Sequence, residues 1–294
     1  MSGIEKGANE LRLGIQGALD SKNGFLVGRF GTIECSVLDW LMNRPSVEVP
    51  EELRIVLERN AGVFPFDSRS IKAWGKDIRA AFQKADILAV GWYAPTADKE
   101  RQLLGMWGWF GQTVALRSLE PYYVAPESRW TQTLKGRKVC AVTSFAETAA
   151  HQVHKKIWEP PLWSDVEWRF VRTGYAPSLA MGRAGWEESP SCWQEAVEWT
   201  VGEVLKTDAE VVVIGCGGLG MLIGARLKAA GKVCIVLGGA TQVLFGIKGE
   251  RWRHHDVIGK LWNLEWVWPS VDETPAGAND VEKACYWLKN IRSN

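Results

Sequence analysis

The stretch Val211-Val-Val-Ile-Gly215-Cys-Gly217-Gly218-Leu-Gly220 decides how this chain folds. Four β-branched residues in a row read as a strand, and the Gly-x-Gly-x-x-Gly that follows reads as a tight turn opening a helix. The spacing predicts that helix over 219–230, closed by Gly231, and a second strand over 233–237. The result is a βαβ unit. Glycines at its turn let backbone amides approach a phosphate, and the helix N-terminus favours the negative charge. One part of the dinucleotide fingerprint is missing. The second strand ends in Leu237-Gly238-Gly239-Ala240, and no Asp or Glu occurs between Glu210 and Glu250. The acid that holds ribose hydroxyls in an NAD or methyl-donor site therefore has no counterpart. Tight strand–helix contact explains the same glycines, so phosphate binding and close packing both stand as readings of Gly215, Gly217 and Gly218.

Outward from this unit the alternation repeats. Apolar runs predict strands at 24–29, 86–91, 113–116, 138–142, 166–171 and 210–214. Helical spacing predicts helices at 4–20, before Pro45, at 51–60 with Gly62 closing, from an Asp67 cap to Lys84, and at 191–206. Ser144 with Glu147 three residues on has the form of a capping box and predicts a helix over 145–157. Shorter helical signals lie at 256–262 and 279–291. Strands alternating with helices give an α/β fold, Rossmann-like, with a mostly parallel sheet and flanking helices. No linker divides the chain; 118–137 is the best seam if there are two α/β halves.

Composition bounds the function. The 294 residues are 46% hydrophobic, enough for a large core. Lys plus Arg is 35 against 34 for Asp plus Glu, a net charge of +1 that leaves no electrostatic footprint for nucleic acid. The six cysteines form no CxxC pair and read as buried thiols of a reducing compartment. The start of the chain lacks an apolar h-region, and the longest uncharged apolar run, 211–225, falls short of the ~20 residues of a spanning helix. A cytoplasmic protein without transmembrane segments is expected. The 17 tryptophans show no period and read mainly as core, some as stacking faces.

Candidate site residues cluster after the strands. Past the strand ending at Leu237, Gly238 and Gly239 open the stretch that continues to Trp252. There Gln242 can read a base or a sugar hydroxyl, and Lys248 and Arg251 can neutralise a diphosphate. Near the N-terminus, Gly28-Arg29-Phe30-Gly31-Thr32-Ile33-Glu34 joins a strand to a helix. Arg29 can grip a phosphate; Glu34 can be a base, a metal ligand or a favourable charge at the helix dipole. Glu120, after the third strand, is a second candidate base or a turn residue. His151 and His154 read as one helix face, and His254-His255-Asp256 as a weak metal candidate.

Together these residues resemble the GT-D glycosyltransferases. The resemblance rests on Arg29, Gly31 and Glu34, on Gly215 to Gly220, and on Gly238 to Trp252, and it spans about residues 24–252. The segments 60–65, 119–123 and 130–138 are similar to a subgroup found with polysaccharide-assembly proteins. The resemblance implies a single GT-D domain over 1–294 that binds a nucleotide sugar, such as a UDP-sugar, and moves the sugar to a glycan or lipid-linked glycan acceptor in polysaccharide biosynthesis. It also implies an Asp-x-Glu pair that serves a divalent metal, Mn2+ or Mg2+, or the reaction centre. Here Thr32 stands at the Asp position, leaving Glu34 alone. A homodimer is a further expectation. An NAD- or S-adenosylmethionine-dependent enzyme and a non-catalytic nucleotide- or carbohydrate-binding scaffold are the alternatives.

Overall fold

The computed structural model describes residues 3–91 and 93–289. Seven parallel strands form one sheet: β1 (Phe25–Arg29), β2 (Ile87–Val90), β3 (Gln112–Ala115), β4 (Lys138–Thr143), β5 (Glu167–Arg172), β6 (Val211–Gly215) and β7 (Val233–Val236). Their order is β3-β2-β1-β7-β6-β4-β5. The chain builds outward from β1 through β2 and β3, crosses to β4 and β5 on the other side, and returns inward through β6 and β7. Gly215 at the end of β6 is in register with Thr143, and Val27 of β1 pairs with Ile235 of β7. This is the α/β fold with a parallel sheet that the sequence predicts.

Helices cover both faces: α1 (Gly3–Ser21), α2 (Thr32–Asn43), α3 (Glu51–Ala61), α4 (Ser68–Gln83), α5 (Ala94–Trp107), α6 (Leu116–Leu119), α7 (Ala146–Gln152), α8 (Pro177–Ala180), α9 (Trp193–Lys206), α10 (Gly220–Ala229), α11 (Ala240–Leu244) and α12 (Ile258–Leu261). Alternate strand residues serve alternate cores. Leu26, Leu88, Val212, Ile214 and Val236 pack with Leu57, Trp74, Val197 and Ile223 on one face. Val27, Ala89, Ala141, Val213 and Ile235 pack with Leu11, Ile15, Trp130, Ala149 and Leu244 on the other. Gly224 lets α10 lie close on the sheet, since a Cβ there would come within 2.7 Å of Leu26. Four of the six cysteines are buried and all are free thiols. Among the described residues no helix is long and apolar enough to cross a membrane.

Three sequence expectations need correction, and a fourth element was not anticipated. First, α7 spans only Ala146–Gln152 and carries no side-chain cap of its own. Ser144 instead accepts from the Tyr175 hydroxyl at 2.8 Å. The cap comes from far along the chain: the fully buried Glu273 accepts the amides of Glu147 (2.9 Å) and Thr148 (3.0 Å) and the hydroxyls of Thr148 and Ser270. The helix stops early because Ile157 and Trp158 are used elsewhere, Ile157 against Gly246 and Trp158 donating to the Leu244 carbonyl at 2.8 Å. Second, the signal at 256–262 shrinks to the single turn α12.

Third, no helix forms over the described part of 279–291. A 3-10 turn, Ala278–Asp280, is followed by Glu282, Lys283 and Ala284 at φ of 45°, 59° and 64°. Left-handed backbone costs about 1–2 kcal/mol per non-glycine residue. The burial of Val281, Ala284, Cys285 and Trp287 holds the segment in place against that cost. Residues 290 and 291 lie outside the described residues. Fourth, α5 has no counterpart in the sequence reading, although Pro95 in its first turn and Gly108 at its left-handed C-cap (φ 62°) are the ordinary start and stop signals.

Candidate functional site

Every strand of the parallel sheet delivers its following loop to one edge, where ligands bind in open α/β folds. A cavity of about 460 Å³ opens there, lined from the ends of β1, β6 and β7 and from the stretches after β2 and β3. Ten of the residues the sequence singles out line it: Arg29, Gly31, Thr32, Glu34, Glu120, Gly217, Gly218, Gly238, Gly239 and Arg251. Its volume suits a nucleotide-sized ligand.

From β1 the chain passes Arg29 and turns into α2, with Glu34 in the first helical turn. The Glu34 carboxylate folds back over Gly31 so closely that a Cβ at Gly31 would stand 2.0 Å from Oε2. Burial pushes the Glu34 carboxyl above its ordinary value; its own backbone amide and the Arg29 charge oppose the shift, and Glu282 adds to it. Arg29 Nε donates to the Phe30 carbonyl at 3.0 Å, while its guanidinium lies beneath Gly238, 3.8 Å from where a Cβ would be. Among the described residues Arg29 forms no salt bridge. Its charge is therefore open to an incoming anion.

The β6 turn serves two purposes at once. Gly217 adopts φ 43°, and a Cβ there would meet the Ala61 carbonyl at 2.6 Å. The end of α3 thus makes the close approach to this turn, and Trp74 Nε1 adds a hydrogen bond to the Gly218 carbonyl at 3.0 Å. The glycines are needed for close contact within the protein, yet Gly217 and Gly218 still line the cavity. At the β7 turn, Gly238 takes φ 61° and the Tyr286 ring rests against Gly239, about 2.9 Å from a Cβ position.

Arg117 and Glu120, delivered by β3 and α6, line the same cavity. They pair at 2.5 Å with Glu120 only 6% exposed. The Arg117 guanidinium also lies 4.2 Å from the Tyr123 ring centroid. Arg251 completes the ring of charge. It donates to Glu282 Oε2 at 2.8 Å and to the Tyr286 hydroxyl at 2.9 Å. Its pKa is pushed up: desolvation, the largest influence, works the other way but is outweighed by Tyr286, Cys285 and Glu282.

Three predicted residues sit elsewhere. Gly215 and Gln242 line a smaller cavity of about 100 Å³ beside the first, sharing Asn60, Gly217, Gly238, Gly239 and Tyr286 with it. The Gln242 amide nitrogen does not await a base. It donates to the Lys248 and Tyr286 carbonyls, both at 2.7 Å, and so ties α11 to the C-terminal segment; Oε1 is buried without a partner. Lys248 lines neither cavity; its Nζ lies 5.6 Å from the Trp262 ring centroid. His151 and His154 are exposed. His255 accepts from the Val257 and Ile258 amides at the start of α12, and among the described residues no three His, Cys, Asp or Glu side chains gather to hold a metal. The donor set at Glu34 is one carboxylate, so it does not fit a metal held by the protein alone.

The sequence reading missed Asn60, Arg117, Glu282 and Tyr286, all of which line the larger cavity. Glu282 and Tyr286 carried no signal because Glu282-Lys283-Ala284 reads as helix-forming sequence. Comparison of the chain with family models, with curated proteins and with solved structures finds no match.

Proposed function

We propose that this cleft binds a nucleoside diphosphate sugar and transfers the sugar to a hydroxyl of a glycan or lipid-linked glycan acceptor. The convergence of Arg29, Gly238, Gly239 and Arg251 with Glu34 and Glu120 on one cavity carries the proposal. Glycosyl transfer needs positive charge at the leaving diphosphate and a base for the acceptor proton. Arg29 and Arg251 supply the first. Glu34 is the base: a carboxylate whose proton affinity is raised by burial accepts a proton more readily at neutral pH. The acceptor oxygen attacks the anomeric carbon, the bond from that carbon to the diphosphate oxygen breaks with its electron pair leaving on the diphosphate, and the acceptor proton passes to Glu34. Glu120, bound to Arg117, orients that cation beside the acceptor.

A dinucleotide or methyl-donor enzyme is less well supported. No acid follows β7, and the Ala61 carbonyl fills the close approach at Gly217. The test is release of nucleoside diphosphate from a panel of nucleotide sugars, with and without Mn2+. Turnover of one donor, reduced about 100-fold or more in Glu34→Gln, is expected. Absence of release from every donor, or full activity in Glu34→Gln, contradicts the proposal.

A further inference from the structure

The cation at Arg251 already holds an anion. Glu282 Oε2 accepts from Arg251 Nη2 at 2.8 Å, and Glu282 Oε1 lies 3.5 Å from Asn60 Nδ2. The Tyr286 hydroxyl, accepting from Nη1 at 2.9 Å, fixes the remaining arm of the guanidinium. All four residues line the larger cavity. A carboxylate that offers two oxygens to an arginine and an amide occupies the place of a phosphate with the same two oxygens.

The backbone shows why this carboxylate sits here. Three successive non-glycine residues, Glu282, Lys283 and Ala284, are held at positive φ. Buried Val281, Ala284, Cys285 and Trp287 anchor the segment, as do the bond from the Arg251 amide to the Cys285 carbonyl (3.0 Å) and that from Gln242 to the Tyr286 carbonyl (2.7 Å). A strained backbone persists only where its surroundings over-determine it. The main chain is therefore fixed, while the Glu282 side chain, 48% exposed, has room to swing into solvent.

We propose that Glu282 is a resident anion, occupying with its own carboxylate the position at Arg251 that a diphosphate oxygen of the ligand takes. The inference rests on reading the cleft as a nucleoside diphosphate site. Binding is then an exchange: the ligand is captured at Arg29, which among the described residues makes no salt bridge, and displaces Glu282 from Arg251. The exchange keeps Arg251 neutralised and oriented in the empty protein and lowers the apparent affinity for diphosphate by the fraction of molecules in which Glu282 is bound. It also eases release of the nucleoside diphosphate product, because Glu282 competes for the same cation.

The test is isothermal titration of the full chain with inorganic pyrophosphate, comparing wild type, Glu282→Gln and Asp280→Asn. Asp280 is an exposed acid near the same turn that does not line the cavity and pairs with Arg59 at 3.9 Å, so its variant removes one negative charge without freeing Arg251. Circular dichroism establishes that each variant is folded. Glu282→Gln binding about tenfold tighter than wild type, with Asp280→Asn within about twofold, is the expected result. Equal tightening in both variants reduces the effect to net charge and overturns the inference, as does unchanged or weaker binding by Glu282→Gln. Wild type binding with no gain in Glu282→Gln overturns this inference alone; absence of pyrophosphate binding by every folded protein overturns the diphosphate reading with it.

Discussion

Glu34 is a residue whose ionisation costs the fold something. Its carboxyl is pushed up by burial, so over the pH range above the ordinary carboxylate value the native state holds the proton more tightly than the unfolded chain. Stability then falls as pH rises through that window, because the unfolded state releases a proton that the native state retains. Glu34→Gln keeps the shape and removes the charge. It should flatten the decline of melting temperature above the ordinary carboxylate value and, on the proposed function, reduce donor turnover. Glu100, raised in the same way by burial and held on the Gly91 amide at 2.8 Å, contributes a slope of the same sign. A variant that melts lower than wild type at pH 8 would show that Glu34 is ion-paired rather than desolvated. Gly31 gives a complementary prediction. The atoms nearest a Cβ there belong to the far end of the Glu34 side chain, so Gly31→Ala should cost about 1 kcal/mol or less in stability yet displace the carboxylate and lose activity.

Among the elements, α7 shows most directly how a local signal is overridden. Ser144 and Glu147 have the spacing of a capping box, yet the helix is capped by Glu273, whose residue number is 125 beyond that of Thr148. Glu273→Ala would leave three amides (Glu147, Thr148 and Ser270) and two hydroxyls without their acceptor in a buried place. A loss of about 3 kcal/mol is expected, read as a shifted denaturation midpoint. A change below about 1 kcal/mol would mean that Ser144 can resume the cap. The βαβ unit of β6, α10 and β7 was legible because its instructions are local: β-branched run, glycines, helix, β-branched run. α5 was overlooked although its Pro95 and Gly108 carry a local message. The tertiary cap on α7 and the left-handed turn at Glu282 were not legible, since each is fixed by partners far away in sequence. Gln242 shows the same limit for the site. As a polar residue after a Gly-Gly turn it reads as a ligand contact, but burial turns its amide nitrogen toward two backbone carbonyls.

On the scale of the whole molecule, one sheet draws β1, β6 and β7 together at its centre and so brings Arg29, Gly217 and Gly238 to a single edge. Arg29 and Gly238 lie more than two hundred positions apart, yet each of these residues was identifiable because it ends or closely follows a strand of a parallel sheet. What the sequence left open is the company Arg251 keeps in the cleft, Glu282 and Tyr286. On the proposed function this cleft takes a nucleoside diphosphate, and Arg29 is the first cation that meets it. The most direct measurement is a thermal-shift panel of UDP, GDP, CMP, dTDP, NAD and S-adenosylmethionine on wild type and Arg29→Gln. Stabilisation of the wild type by a nucleoside diphosphate, with affinity at least about tenfold weaker in Arg29→Gln, is predicted. Stabilisation by NAD or S-adenosylmethionine alone, or a nucleoside diphosphate response untouched by Arg29→Gln, would contradict it.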